Sequence, residues 1–257
     1  MELQGGPGAG PEQWFRHQPA DEPQVRLVCF PHAGGAASAY RDWGRLVPPG
    51  VDLLAVQYPG RQNRLREPCV ERMAELADRI AAALAPHLGL PMAFFGHSMG
   101  SAVAYEVAVR LEQRSGLVLE RLFVSGRTAP HRVPPEPSAP RDDRELLDSV
   151  RRLGEPDAGA YDDPELLPLV LPSLRADHRL LGAYRPERPV PLSAPVTAFG
   201  GESDPACPVE ELAGWAELTT AGLRQRTFPG GHFYLVEHRA ELVSLVGTQL
   251  TGAPHGH

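Results

Sequence analysis

Five near-continuous apolar runs, separated by helical patterns, constrain the fold of this chain more than any other feature. They are "VRLVCFP" at 25–31, "VDLLAVQYP" at 51–59, "PMAFFG" at 91–96, "ERLFVSG" at 120–126 and "APVTAFGG" at 194–201, with a weaker "LRQRTFP" at 223–229. A strand with one face in water alternates apolar and polar residues, so unbroken runs point to a parallel sheet covered on both faces. Between them, "CVERMAELADRIAAALAPHL" (69–88) repeats Val70, Met73, Leu76, Ala77, Ile80 and Leu84 at helical spacing. "MGSAVAYEVAVRLEQR" (99–114), "PVEELAGWAEL" (208–218) and "HRAELVSLVGTQL" (238–250) also read as helices. This alternation predicts an α/β fold with a mostly parallel, doubly wound sheet. A length of 257 residues suits a single domain, residues 1–257, with a substantial core.

The alternation breaks at about 130–190, where "DRELLDSVRRLG" and "PELLPLVLPSLRADHRLLGAY" give helical pieces and no legible strand. A helical insertion there would lie over one edge of the sheet, close to the C-terminal strand ends that carry sites in such folds. It reads as a lid; a packed subdomain with no gating role is the alternative. Proline and glycine gather in "PHRVPPEPSAP" at its entry and in the terminal stretches "GGPGAGPEQ" and "TGAPHGH", which read as floppy ends.

A formal net charge of -7 supplies no basic field for general nucleic-acid or anionic-membrane binding. No run of 18 or more apolar residues is present to span a bilayer. Cys29, Cys69 and Cys207 form no metal-binding or CxxC pattern. Their odd number, without a secretory signal, points to a reducing, cytoplasmic setting.

The chemistry centres on "GHSMG" at 96–100, a G-x-S-x-G pattern between a strand-like run and an amphipathic helix. In that context a tight turn holds Ser98 in strained geometry, and the flanking glycines allow close chain approach. The alternative is a helix-capping serine. A serine hydroxyl needs a neighbouring base to be nucleophilic, and this fold orders its partners serine, acid, histidine. Asp204 follows a strand in "APVTAFGGESDPACP", and His232 follows a weaker strand in "LRQRTFPGGHFYLVEH". Asp204 would orient the imidazole and His232 would take the serine proton. Glu202 is the rival acid, less well placed in the turn. Among other histidines, His97 should point away from the turn and His32 should shape its loop. The oxyanion hole should combine the Met99 amide with one from "CFPHAGGAASAYRDW", where Ala33 is the leading donor. That loop lacks the lysine and glycine spacing of phosphate-binding motifs.

Taken together, "CFPHAGGAASAYRDW", "VQYPGRQNR", "FFGHSMGSAVAYEVA", "LFVSGRTAP", "LRADHRLLGAY", "FGGESDP" and "FPGGHFYL" resemble the type II thioesterases of polyketide and nonribosomal peptide assembly lines. The resemblance runs collinearly over about residues 14–250. It implies an α/β-hydrolase fold with a helical lid, a Ser98–Asp204–His232 triad, and Ala33 and Met99 as oxyanion donors. It departs at His178, where family members often carry a bulky apolar residue. The implied reaction removes acyl groups from the phosphopantetheine arm of acyl or peptidyl carrier proteins, clearing misprimed or stalled units. No metal or cofactor is implied, since the partner protein carries the acyl group. A monomer is the default expectation. Carrier proteins are usually acidic, so Arg61, Arg64 and Arg66 could receive the partner or its phosphate; a solvated basic loop is the alternative. Competing readings are a small-ester carboxylesterase or lipase, a catalytically dead binding module, and a release domain of a larger synthase. A complete set of triad residues argues against the dead module, and the lack of a carrier segment favours a free-standing protein.

Overall fold

The computed structural model describes residues 11–133, 142–156, 158–186 and 188–252. Its sheet has seven strands: β1 (Phe15–Gln18), β2 (Val25–Phe30), β3 (Val51–Val56), β4 (Met92–His97), β5 (Arg121–Ser125), β6 (Val196–Gly201) and β7 (Leu223–Phe228). Their order is β1-β3-β2-β4-β5-β6-β7. Only β1 runs antiparallel, against β3; the other pairings are parallel. The expected α/β, mostly parallel doubly wound sheet is therefore correct. The six anticipated strands fall on β2 to β7.

Continuous apolar strands arise because both sheet faces are buried. Val28, Phe30, Leu54, Val56, Phe94 and Val124 join one core with α1 (Met73–Leu84) and α2 (Met99–Ser115). Their sequence neighbours Leu27, Cys29, Leu53, Ala55, Phe95 and Phe123 join the opposite core. Alternate side chains point to opposite faces, so a doubly covered strand must be apolar at every position.

Two elements depart from the sequence reading. β1 was not anticipated, because "FRHQ" is short, edge-lying and largely exposed, with Phe15 its one fully buried residue. Polar edge strands avoid unwanted pairing and so carry no apolar signal. Residues Val209–Leu218 form a 3₁₀ helix rather than an α-helix. Its buried Leu212, Trp215 and Leu218 recur every third residue, which matches three residues per turn.

Between β5 and β6 lie α3 (Asp143–Leu153) and α4 (Leu167–Ala183), with a 3₁₀ turn, Ala158–Tyr161, between them. The Asp142 side chain caps α3 by accepting the Glu145 N–H at 2.9 Å, and Gly154 ends it in the left-handed region at φ 74°. Leu146, Val150, Tyr161 and Leu174 give this segment a small core of its own. A short helix α5 (Tyr234–Glu237) and the longer α6 (Arg239–Thr251) complete the chain after β7. Most of the two terminal Gly/Pro stretches, at residues 1–10 and 253–257, and most of the proline cluster before α3 lie outside the described residues, whereas Pro11–Trp14 form a 3₁₀ turn and Thr251 closes α6. Among those described, no helix is long and apolar enough to cross a membrane.

The chain steps outward from β2 to β3, then crosses back to β4 on the other side of β2. The loops that leave β2 and β4 therefore diverge, and a crevice opens at their C-terminal ends. Ser98 and the "HAGG" loop both stand there.

Candidate active site

Ser98 sits between β4 and α2 at φ 53° and ψ -118°, a backbone conformation that costs a non-glycine residue about 1–3 kcal/mol. The glycines at either end of the motif explain how the turn closes. A Cβ on Gly96 would lie 2.2 Å from the Gly100 carbonyl oxygen, and one on Gly100 would lie 2.0 Å from that of Phe30. The turn is tied to β5 by Ser98 N–H donating to the Ser125 carbonyl at 2.8 Å. Buried Ser101 adds bonds to the Gly96 carbonyl (2.8 Å) and the Ser125 carbonyl (3.1 Å), and accepts the Ser125 N–H (3.0 Å).

Asp204 and His232 come from the loops after β6 and β7. These loops meet because Gly201 has no side chain: a Cβ there would lie 2.2 Å from the Gly231 carbonyl oxygen. Ser203 N–H donates to the Gly230 carbonyl at 2.9 Å, which locks the two loops together. The result is a buried contact of 2.8 Å between Asp204 Oδ2 and His232 Nδ1. Asp204 Oδ1 accepts the Ala206 N–H at 2.8 Å, so both carboxylate oxygens are committed. Glu202, the rival acid, is exposed.

Ser98 and His232 line one cavity of about 720 Å³, together with Ala33, His178, Arg152 and Arg185. No hydrogen bond joins Ser98 Oγ to His232 among the described residues. Such contacts commonly tighten only when substrate is bound. Among the described residues neither the Ala33 nor the Met99 amide donates to a protein acceptor; Ala33 lines the cavity, and Met99 is buried directly after Ser98. Among the described residues, no group of three or more metal-ligating side chains is assembled.

Sequence reasoning missed a layer behind the histidine. His97 is buried, and its Nδ1 lies 2.9 Å from Ser125 Oγ, which in turn lies 2.7 Å from the Tyr234 hydroxyl. The His97 ring packs against that of His232 with centroids 4.9 Å apart. Burial, then the neighbouring His232 and His32, push the His97 pKa well below the usual imidazole value. Gly126, at φ 58°, makes room for both rings: a Cβ there would lie 2.8 Å from His97 Cε1 and 3.3 Å from His232 Cε1. The available signal was "SG" closing the β5 run, a dipeptide that marks a turn at a strand end.

The basic loop requires a correction. Arg61 does not face a partner; it is buried and makes a bidentate ion pair with Asp177 of α4, at 2.7 and 2.8 Å. Arg64 is also buried, pairs with Glu67 at 2.6 and 2.8 Å, donates to the Gln57 carbonyl and stacks over Trp14. Both guanidiniums are buried among internal acceptors and are not presented to a docking partner. Arg66 alone of the three is exposed.

The thioesterase domain family matches residues 25–250. Thioesterase PikA5 of Streptomyces venezuelae is 43% identical over 246 residues, which is 94% of this chain and 88% of that protein. The gramicidin S biosynthesis protein GrsT of Aneurinibacillus migulanus is 34% identical, over 88% of this chain and 89% of its own. Among solved structures, the type II thioesterase BorB from the borrelidin biosynthetic cluster superposes with a TM-score of 0.84 at 38% identity, covering 92% of this chain and 97% of its own.

Proposed function

This chain belongs to the thioesterase family, among the type II thioesterases of polyketide and nonribosomal peptide clusters, and we propose from that premise how it works and on what. The substrate is an acyl group held as a thioester on the phosphopantetheine arm of an acyl or peptidyl carrier protein, in the cytoplasm beside the synthase. The role is to clear aberrant or stalled units. The observation that carries the reading is Ser98 at a positive φ, sharing a cavity with the buried Asp204–His232 pair.

Ser98 Oγ attacks the thioester carbonyl while His232 Nε2 takes its proton. Asp204 holds the imidazole with Nε2 toward the serine and stabilises the imidazolium that forms. The tetrahedral oxyanion is held by the Ala33 and Met99 N–H groups. Collapse expels the pantetheine thiolate, which leaves as the thiol with the proton from His232. Water then gives a proton to His232 and attacks the acyl-Ser98 ester; collapse releases the carboxylic acid and returns the proton to Ser98 Oγ. The α3–α4 segment acts as the lid over this cavity. Arg66 remains on the surface as a contact for an acidic carrier.

The test is one carrier protein loaded in turn with acetyl, propionyl, malonyl and longer acyl groups, with release measured beside matched oxygen esters. Carrier-bound thioesters should turn over faster, and Ser98→Ala should abolish release. Turnover of oxygen esters alone would make the chain a carboxylesterase. Full activity in Ser98→Ala would overturn the site.

A further inference from the structure

The loop that carries Ala33 is held from two sides. Upstream, Tyr40 and Tyr58 donate their hydroxyls to the Phe30 and Pro31 carbonyls at 2.7 and 3.2 Å. Downstream, the anchors come from the segment between β5 and β6. Asp177 of α4 accepts the Gly34 N–H on Oδ2 at 2.8 Å, and the same oxygen accepts Arg61 Nη1. Arg61 Nη1 also donates to the Gly35 carbonyl at 2.9 Å. Gly34 stands at φ 78° beneath this segment, where a Cβ would lie 2.7 Å from the Tyr161 hydroxyl and 3.0 Å from Leu174 Cδ1. Glu155, buried and bonded by the Tyr161 hydroxyl at 3.3 Å, lies 3.4 Å from His32 Nε2.

We propose that Asp177, braced by Arg61, is a positioning residue that sets the Ala33 amide in the oxyanion hole, so that the hole is complete only while the α3–α4 segment is seated. The His32 carbonyl, in the same peptide as the Ala33 N–H, accepts the Gly35 N–H at 3.1 Å, and Asp177 on Gly34 together with Arg61 on the Gly35 carbonyl holds that turn in place. Displacement of α4 removes the Gly34 acceptor and withdraws one of the two oxyanion donors. Arg61 serves twice, as counter-ion to Asp177 and as a second anchor on Gly35. The pair joins two segments 116 residues apart in sequence. The proposal rests on the reading of Ala33 as an oxyanion donor.

The test compares two neutral replacements of the ion pair, neither of which strands a buried charge. Asp177→Leu with Arg61→Met removes both loop anchors; Asp177→Asn with Arg61→Gln keeps an acceptor for Gly34 N–H and a donor for Gly35. The first should lose about 10–100-fold in kcat, the cost of misplacing an oxyanion donor, with KM unchanged. Its affinity for a trifluoromethyl ketone, which forms a hemiketal oxyanion on Ser98, should fall by the same factor, because only the transition-state contact is lost. The second pair should restore both quantities. Should the first pair fail to fold, Asp177→Glu keeps the charge and displaces the acceptor by one methylene, and should lower kcat and ketone affinity together. Wild-type kcat in the folded anchor-free variant overturns the proposal, as do parallel losses of kcat, KM and Tm in both pairs. Ser98→Ala is run alongside: retained hydrolysis there would overturn the underlying site, whereas its loss with an unaffected anchor-free variant overturns only the role of Asp177.

Discussion

Gly100→Ala tests the geometry of the nucleophile turn without touching any group proposed to react. The new methyl carbon would stand 2.0 Å from the Phe30 carbonyl oxygen, 2.6 Å from its carbon and 2.8 Å from the Pro31 oxygen. All three are backbone atoms, so no rotamer change relieves the contact. Reaching an ordinary separation of 3.4 Å requires the start of α2 and the end of β2 to part by about 1.4 Å. Overpacking of this kind costs about 1–3 kcal/mol. For a domain of this size that lowers Tm by about 2–12 °C. The kinetic effect is larger, because the displaced elements carry the Met99 and Ala33 amides on opposite sides of the clash. A misplacement of about 1 Å costs on the order of 100-fold in rate. The assay is thiol release from an acyl-pantetheine, with fluorophosphonate labelling of Ser98 to count folded sites and a thermal melt in parallel. Gly159→Ala is the control: nothing lies within 4 Å of its Cβ position and its φ is not positive, so rate and Tm should be unchanged. A Gly100→Ala enzyme with wild-type kcat would show that the turn tolerates the separation, and would refute the argument.

Asp204→Asn should fold, because Oδ1 can still accept the Ala206 N–H, but its amide would then present N–H groups to His232 Nδ1 and favour the wrong tautomer. The expected loss is about 10³–10⁴-fold in kcat, read in the same thiol-release assay. His97 stays neutral when folded because its pKa is depressed, so an unfolded chain binds the extra proton as pH falls below about 6.5. The stability this confers is complete above that pH and is lost on acidification toward the folded pKa, at up to about 1.4 kcal/mol per pH unit; urea midpoints between pH 7 and 5 should fall less steeply in His97→Asn. Arg64→Ala removes the Glu67 pair, the Gln57 bond and the stacking over Trp14 and should cost about 1–3 kcal/mol of stability. Its kcat/KM on acyl-carrier substrates should stay at the wild-type value; a selective loss on carriers would restore Arg64 to a docking role.

What could be read from the chain alone divides along the range of the interactions. Strands β2 to β6 announced themselves because each buries both faces, and that demand is written into consecutive residues such as "VRLVCF" and "MAFF"; the edge strand β7, exposed at Arg224, Gln225 and Arg226, gave only a weaker signal. Ser98 was legible for a similar reason, since Gly96 and Gly100 meet its turn within two residues on either side. Asp204 and His232 needed only one further rule, the order in which partners return to the C-terminal edge of such a sheet. By contrast, β1 is paired through four polar or edge positions and carries no local signature.

The basic loop shows where local reading fails by construction. "GRQNRLR" looks like a docking patch because arginine is usually exposed, and the carboxylate that buries Arg61 lies 116 residues away. Burial of Arg61 is decided by Asp177, and burial of Arg64 by Trp14 and Glu67, so two of three identical side chains became internal braces. A buried guanidinium needs a specific acceptor, and a buried carboxylate needs a specific donor; neither half of the pair can be diagnosed without the other. Yet "YPGRQNR" and "LRADHRLLGAY" stood together among the stretches most characteristic of the chain. Two motifs remote in sequence, each with a charge that no local chemistry uses, can therefore be tried as partners before a structure exists. In this molecule that pairing leads to the loop bearing Ala33, and so from two unexplained charges to the cavity that Ser98 lines.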